Sequence, residues 1–545
     1  MKPSTRGLLT RLVILFSLLL FAWTHRHALA LPGFADDMGL FQDLTSAALS
    51  GSWGSEVLAR LTGPLWGPGS TMWRPWAFLS LALDARWYDG NTGLSHITNL
   101  SLHVAAATFA ALLAHLWLRS LWAEVTVFAT MLLHPWTAEI TLWLVGRFDG
   151  WATAAVLASL YAAARSEGRF DRWFTLSLLA ATVAYTSKES ALILPLMLFL
   201  MTLPRKAAAT KGALAHGKPT EQSALRARVI AHAREIHWQL LLAHLGLGAS
   251  YMLCRQVAVG SLSTNVYGTA QVLDIAQLLD RVIEHLAAFT AIGALAPVAA
   301  VSASILAFAA LVVVCSAWQW PRLLFASTWI LIVFLGAALH FSGMVGTGDG
   351  YRLYYLALFG FALIVGVAVN VIEPRVDQRF LAALLLTWAT GLALWQDAAN
   401  RQWWVAAKEI RATEIAIAHE LPKLSSDDYA LVLLPDSIGQ VPVFRNAQGA
   451  IVRAAGVRPD GARGTDFMVA MLPLQLAEWH GLLQIDVIPM ISKRPGAPAR
   501  PTRYYCKELG QQTLQPLGFW PAGTLTVWNE TWRTRALAAC PSLKL

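Results

Sequence analysis

Charge is scarce in this chain. Asp, Glu, Lys and Arg make up 14% of its 545 residues, and 56% are hydrophobic. A soluble enzyme carries about a quarter charged residues. With a mean hydropathy of +0.49, the composition excludes an ordinary soluble enzyme and points to a polytopic membrane protein. Cysteine is also scarce, with four residues. None stands in C-x-x-C or Cys/His spacing, so no zinc framework is legible. Basic residues interleaved with aromatics are absent as well, so the net charge of +9 does not read as a nucleic-acid surface. Basic residues accumulate instead in cytoplasmic loops of membrane proteins. No internal repeat is visible. What the chain has in abundance is tryptophan, 24 residues, which collects at membrane interfaces and in cavities.

The N-terminus carries Lys2, Arg6 and Arg11 and is expected in the cytoplasm. Leu12 to Trp23 is apolar and Ala28-Leu29-Ala30 resembles a cleavage site, but His25, Arg26 and His27 intervene. An uncleaved signal anchor is therefore expected. Residues 31–93 read as a long outer loop rich in Trp, Gly and Pro. Loops of that length are functional or disordered, and the aromatics argue against disorder. Spans are expected at 94–118, 121–143, 150–164, 173–187, 190–203, 238–257, 296–318, 323–341, 353–372 and 380–396. Residues 204–236 hold Arg205, Lys206, Lys211, Lys218, Arg226, Arg228 and Arg234, a positive-inside loop. Residues 274–285 repeat apolar side chains at helical spacing, as an interfacial helix does.

Counting the anchor, about eleven spans follow, which puts the C-terminus outside. The expected fold is an α-helical polytopic membrane protein. Its transmembrane domain covers 1–396 and a linker helix covers 397–424. A small α/β or mostly β domain on the outer face covers 425–545. Cys254 and Cys315 sit in apolar segments, whereas Cys506 and Cys540 lie in the soluble tail. In an oxidising compartment these two can pair, with two buried thiols as the alternative.

The polar residues matter most. Asp36 and Asp37 stand side by side where the first apolar segment leaves the membrane. A carboxylate at a bilayer centre costs about 2.5–3.5 kcal/mol, less near the interface. Further polar clusters fall at the outer ends of spans. His96, Asn99 and His103 share one helix face, either as metal ligands or as hydrogen-bonding groups inside the bundle. His134 and Glu139 are followed by Arg147 and Asp149, and Lys188-Glu189 interrupts two apolar runs. Arg352 and Tyr355 open another span. Snorkelling helix ends would account for one such cluster. Four of them beside an Asp pair suggest a site at the membrane face. Arg147, Lys188 and Arg352 can hold a phosphate, and Asp36 or Asp37 can take a proton from an acceptor hydroxyl.

The ordered set Asp36-Asp37, Trp73-Arg74-Pro75, His96-x-x-Asn99-x-x-x-His103, His134-Pro135-x-x-x-Glu139, Gly146-Arg147-x-Asp149, Ser187-Lys188-Glu189 and Arg352-x-x-Tyr355 resembles the GT-C glycosyltransferase superfamily. It is most similar to bacterial relatives of the transmembrane, tetratricopeptide-bearing O-mannosyltransferases, and the resemblance covers residues 10–400. It implies an enzyme of the bacterial inner membrane with its site and C-terminal domain in the periplasm. Such an enzyme takes a sugar from a polyprenyl-phosphate carrier and inverts the anomeric centre. Asp36 and Asp37 match the family's catalytic acidic pair, with Asp36 the first choice of general base and Asp37 orienting the acceptor or binding a cation. Arg147, Lys188 and Arg352 would hold the donor phosphate. Arg74, His96, His103, His134, Glu139, Asp149, Glu189 and Tyr355 would support them. A divalent metal is neither required nor excluded, and the acceptor is left open among glycan, lipid and protein. No 34-residue repeat follows residue 400, a departure from the repeat-bearing members. The rival readings are a transporter or flippase for a lipid-linked sugar, which should show inverted repeats or paired broken helices, and a non-catalytic assembly factor.

Overall fold

A computed structural model describes residues 3–67, 70–166, 169–201, 238–262, 275–282, 319–340, 350–420, 429–435, 437–439, 441–444, 502–520 and 530–544. The basic loop expected at 204–236 and the span expected at 296–318 lie outside those residues. In chain order the helices are α1 (Pro3–Thr24), α2 (Asp36–Leu49), α3 (Trp53–Thr62), α4 (Pro75–Trp87), α5 (Thr92–Leu118), α6 (Leu121–Leu133) and α7 (Ala138–Leu142). They continue with α8 (Arg147–Ser166), α9 (Arg172–Ser187), α10 (Leu194–Leu200), α11 (Trp238–Val259), α12 (Trp320–His340), α13 (Tyr355–Ile372) and α14 (Gln378–Glu420). Strands β1 (Tyr429–Leu433), β2 (Ser437–Ile438), β3 (Val441–Pro442), β4 (Thr502–Lys507) and β5 (Leu514–Trp520) follow, and α15 (Glu530–Ala539) comes last.

Five stretches among the described residues are long and apolar enough to cross a membrane: Arg6–Ala30, Thr92–Leu118, Trp320–Ala338, Arg352–Arg375 and Gln378–Glu420. The fold is therefore α-helical and polytopic, with a small strand-containing C-terminal region. Residues 275–282 of the expected interfacial helix are helical. Much of the 31–93 stretch is also helical, as α2, α3 and α4. The expected span at 380–396 and the expected linker as far as Glu420 form one continuous helix, α14, and 421–424 lie outside the described residues.

The chain divides into two compact units. The first holds Met1–Ala28, Ser52–Asp84 and Ser95–Asn400. In it α13 packs against α6 and α12, α8 against α9, and α1 against α6. Lipid tails are as apolar as Leu, so helices in a membrane associate through close packing, and small residues let backbones approach. Ala106, Ala107, Ala110 and Ala114 of α5 are fully buried. On α13, a Cβ at Gly360 would stand 2.8 Å from the Ala326 carbonyl oxygen and 2.7 Å from Ile330 Cγ1 of α12. Side-chain caps set two helix starts. Ser120 accepts from Ala123 N at 3.1 Å to open α6, and Asp171 accepts from Trp173 N at 2.9 Å to open α9. At one end of this unit Glu373 accepts hydrogen bonds from Arg6 and Ser120. The other end carries the polar clusters.

The second unit holds Leu29–Gly51, Ala85–Leu94 and Arg401–Leu545. Its sheet runs β1-β4-β5, with β1 parallel and β5 antiparallel to β4. A bulge at Tyr504/Tyr505 interrupts the β4–β5 register. Lys507 is buried and donates to Glu409 Oε1 of α14 at 2.5 Å. A disulfide joins Cys506 of β4 to Cys540 beyond α15. The segment before α2 is held here too: Ala35 N donates to the Val443 carbonyl at 2.9 Å, and Phe34 meets Trp403 edge-on at 5.0 Å.

Gly360→Ala should destabilise the bundle by about 1–3 kcal/mol through overpacking, read as a lower melting temperature in detergent. Gly336→Ala, whose Cβ meets nothing within 4 Å, should be neutral or gain up to ~1 kcal/mol of helix propensity. Equal effects at the two positions would contradict this packing. The disulfide closes a loop of 34 residues, so Cys540→Ser should cost about 3–4 kcal/mol. Thiol labelling of the denatured, unreduced protein should leave both cysteines unmodified, and labelling of both would disprove the bridge.

Candidate functional site

The site is organised by a break in a helix. Apolar sequence continues from Leu121 through Trp143, yet α6 stops at Leu133. Pro135 has no N–H to donate and biases His134 to extended backbone (φ −73°, ψ 134°). A turn at Pro135–Thr137, the short α7 and a second turn at Leu144–Gly146 follow before α8 begins. Such a path leaves carbonyls without helical partners, and at membrane depth each must find a donor inside the protein. The polar face of α5 supplies them. His96 Nε2 donates to Leu142 O at 3.1 Å. Asn99 Nδ2 reaches Ile140 O at 3.0 Å and Trp143 O at 2.9 Å. His103 Nε2 donates to Leu132 O at 3.0 Å, which leaves Nδ1 to accept from the Tyr355 hydroxyl at 2.7 Å. Gly146 permits the path to double back, since a Cβ there would stand 2.6 Å from Glu139 O.

Arg147 completes this scaffold and is fully buried. Its Nε donates to Asn99 Oδ1 at 2.8 Å, Nη1 to Ser80 O at 3.0 Å and Nη2 to Ser95 O at 2.8 Å. Asp84 Oδ2 lies 2.6 Å from Nη2, so the guanidinium joins α4, α5 and α8. The end of α1 is pinned alongside. Thr24 donates to Gln396 Oε1 at 2.8 Å, Gln396 to Thr137 Oγ1 at 2.9 Å, and Arg26 to Asp397 at 2.7 Å.

A second charged group surrounds the bend between α9 and α10. Lys188 Nζ contacts both oxygens of Asp149, at 2.5 and 2.6 Å. Glu189 is shared: Oε2 accepts from Arg74 Nη2 at 2.9 Å and Oε1 from Arg255 Nη1 at 2.8 Å. Arg255 also donates to Thr71 O at 2.6 Å, tying the segment before α4 to α11. Arg74 lies over the Phe148 ring, 5.3 Å from its centroid. Burial opposes the charge on Arg74, but the Glu189 carboxylate outweighs that and holds its pKa above the ordinary value. Arg352 pairs with Glu139, its backbone N–H donates to Glu139 Oε2 at 2.8 Å, and its guanidinium lies 4.6 Å from the Trp143 ring centroid. Arg74 and Arg352 both lie within electrostatic reach of the Lys188 ammonium. Among the described residues of this group Arg74, Lys188, Arg255 and Arg352 face Glu139, Asp149 and Glu189.

Asp36 and Asp37 lie in the second unit, in the first turn of α2, where a helix N-terminus favours carboxylates. Asp37 is fully buried and accepts from Phe34 N at 3.2 Å. Asp36 is half-buried. Ala35 before them has φ +45°, a backbone conformation that costs about 1–3 kcal/mol and clusters at functional sites.

The first unit thus brings together Arg74, Glu139, Asp149, Lys188, Glu189 and Arg352. His96, His103 and Tyr355 go to backbone support. His134 is buried among the rings of Trp136, Phe361 and Trp395. The donors of Arg147 are committed to protein acceptors. Asp84 and Arg255 were missed. Their signal was an ionisable residue inside an apolar helix, which reads as functional by default. Among the described residues no group of three or more His, Cys, Asp or Glu is placed to hold a metal ion.

No protein-family model and no curated protein matches the chain. Two crystal structures of ArnT from Cupriavidus metallidurans are similar to it. The apo form shares 11% identity at a TM-score of 0.47, and the form bound to undecaprenyl phosphate shares 12% at 0.45. Each similarity covers 91% of this chain and 92% of the other.

Arg147→Ala should leave Asp84 buried and unpaired and cost about 3–5 kcal/mol, measured as loss of melting temperature in detergent. A normally stable Arg147→Ala protein with impaired lipid-phosphate binding would contradict the scaffold role.

Proposed function

We propose that the protein is a GT-C-like glycosyltransferase of the bacterial inner membrane. It transfers a sugar from a polyprenyl-phosphate donor to a hydroxyl acceptor at the periplasmic face, with inversion. The observation that carries this reading is the convergence of Arg74, Lys188, Arg255 and Arg352 around the bend at Lys188. Ionisable side chains among apolar helices mark substrate sites by default, and a phosphate suits Arg and Lys donors. Lys188 and Arg352 are the phosphate ligands in this reading, Arg as a fork and Lys as a point charge. Arg147 holds the scaffold instead.

In the reaction the acceptor oxygen attacks C1 of the sugar as its proton passes to Asp36. The bond from C1 to the phosphate oxygen breaks on the opposite face, and the electron pair leaves with the lipid phosphate. Lys188 and Arg352 stabilise that developing charge. Asp37, buried and bonded to Phe34 N, holds the turn that presents Asp36. The greater exposure of Asp36 supports it as the base.

One observation favours a transporter for a lipid-linked sugar instead. The chain is interrupted at 134–146 and again at Lys188–Ile193, and broken helices line transport sites. Transport, however, gives no role to a carboxylate pair.

With purified, reconstituted protein, Asp36→Asn should lower transfer by about 10²–10⁴-fold while donor binding persists. Lys188→Ala and Arg352→Ala should each weaken donor binding about tenfold or more, as loss of a charged hydrogen bond does. Near wild-type turnover in both Asp36→Asn and Asp37→Asn would remove the enzyme reading and favour transport.

A further inference from the structure

We infer that a cavity beside α2 in the second unit binds a saccharide that is neutral or carries an amine. The cavity holds about 380 Å³, within the size range of small-molecule sites, roughly 300–1,000 Å³. Met38, Phe41, Gln42 and Thr45 of α2 line it, and their spacing of three and four places them on one helix face. The same helix begins with Asp36 and Asp37. Met38 and Phe41, both buried, form an apolar wall suited to the C–H face of a sugar ring. Gln42 and Thr45 bring hydrogen-bonding groups beside it.

The charge of the lining selects the ligand further. Among the described residues its ionisable side chains are two carboxylates, Asp89 and Glu414, and Arg411 lies within electrostatic reach of Glu414 without lining the cavity. A phosphate or carboxylate ligand would meet these two carboxylates and is disfavoured there. Sugar hydroxyls can donate to these carboxylates, and an ammonium group would pair with them. The cavity is thus chemically opposite to the basic cluster of the first unit. That it receives the acceptor rests on the glycosyltransferase reading, but that it binds a sugar does not.

The test uses the full-length protein in lipid nanodiscs and three probes: the glucosamine disaccharide, its N-acetylated counterpart and glucose 6-phosphate. By calorimetry the first two should bind, the cationic one more tightly, and the sugar phosphate should not. Ser46→Trp, at an exposed position that also lines the cavity, should weaken both sugars at least tenfold and leave polyprenyl-phosphate binding unchanged. Glu414→Gln, nearly isosteric, should remove most of the preference for the amine. Absence of sugar binding, or binding indifferent to both substitutions, would overturn the site, even where Asp36-dependent transfer persists. Cavity-dependent sugar binding with transfer unaffected by Asp36→Asn would retain the site and discard the enzyme.

Discussion

A peptide group at membrane depth has no water to bond, so an interrupted helix survives only where side chains complete it. That constraint governs this protein. Pro135 ends α6 early, and the carbonyls from Leu132 to Trp143 turn to His96, Asn99 and His103. Arg147 binds the same Asn99 and extends the support to Ser80 and Ser95. Without this polar face the path from His134 to Gly146 would collapse, and with it the placement of Glu139 and Asp149. The hydrogen-bonded face of α5 is therefore a condition of the charged cluster rather than a member of it.

The cluster in turn shows why buried charge is distributed as it is. Each carboxylate has a cation, and Glu189 has two. Removing water strengthens every such interaction and makes any unpaired charge expensive. Four cations gathered at one bend of the bundle are then suited to an anionic ligand. Arg147 illustrates the contrast. Its acceptors satisfy it inside the protein, and nothing is left over for a ligand.

Much of this was legible in the sequence. The helical polytopic class followed from charge and hydropathy, and helices stand at most expected spans. The polar residues later found together at one end of the bundle stood out as costly intrusions into apolar sequence. Four things were not legible. The role of Arg147 depended on Asp84, a residue some sixty positions away that periodicity cannot pair with it. Arg255 lay inside an apparently ordinary span, and only the fold brings it to Glu189. The break after Leu133 was masked by uninterrupted hydropathy, although Pro135 carried the signal. The helices within 31–93 were also hidden, because their Trp, Gly and Pro content obscures a helical period.

We propose that a lipid phosphate binds at the end of the bundle marked by Lys188 and Arg352. Photo-crosslinking with a polyprenyl phosphate carrying a diazirine beside the phosphate, followed by peptide mapping, tests it most directly. Labels are expected on the segments containing Glu139–Asp149, Lys188–Glu189 and Arg352. Labels confined to the opposite end, around Arg6, Ser120 and Glu373, would contradict it.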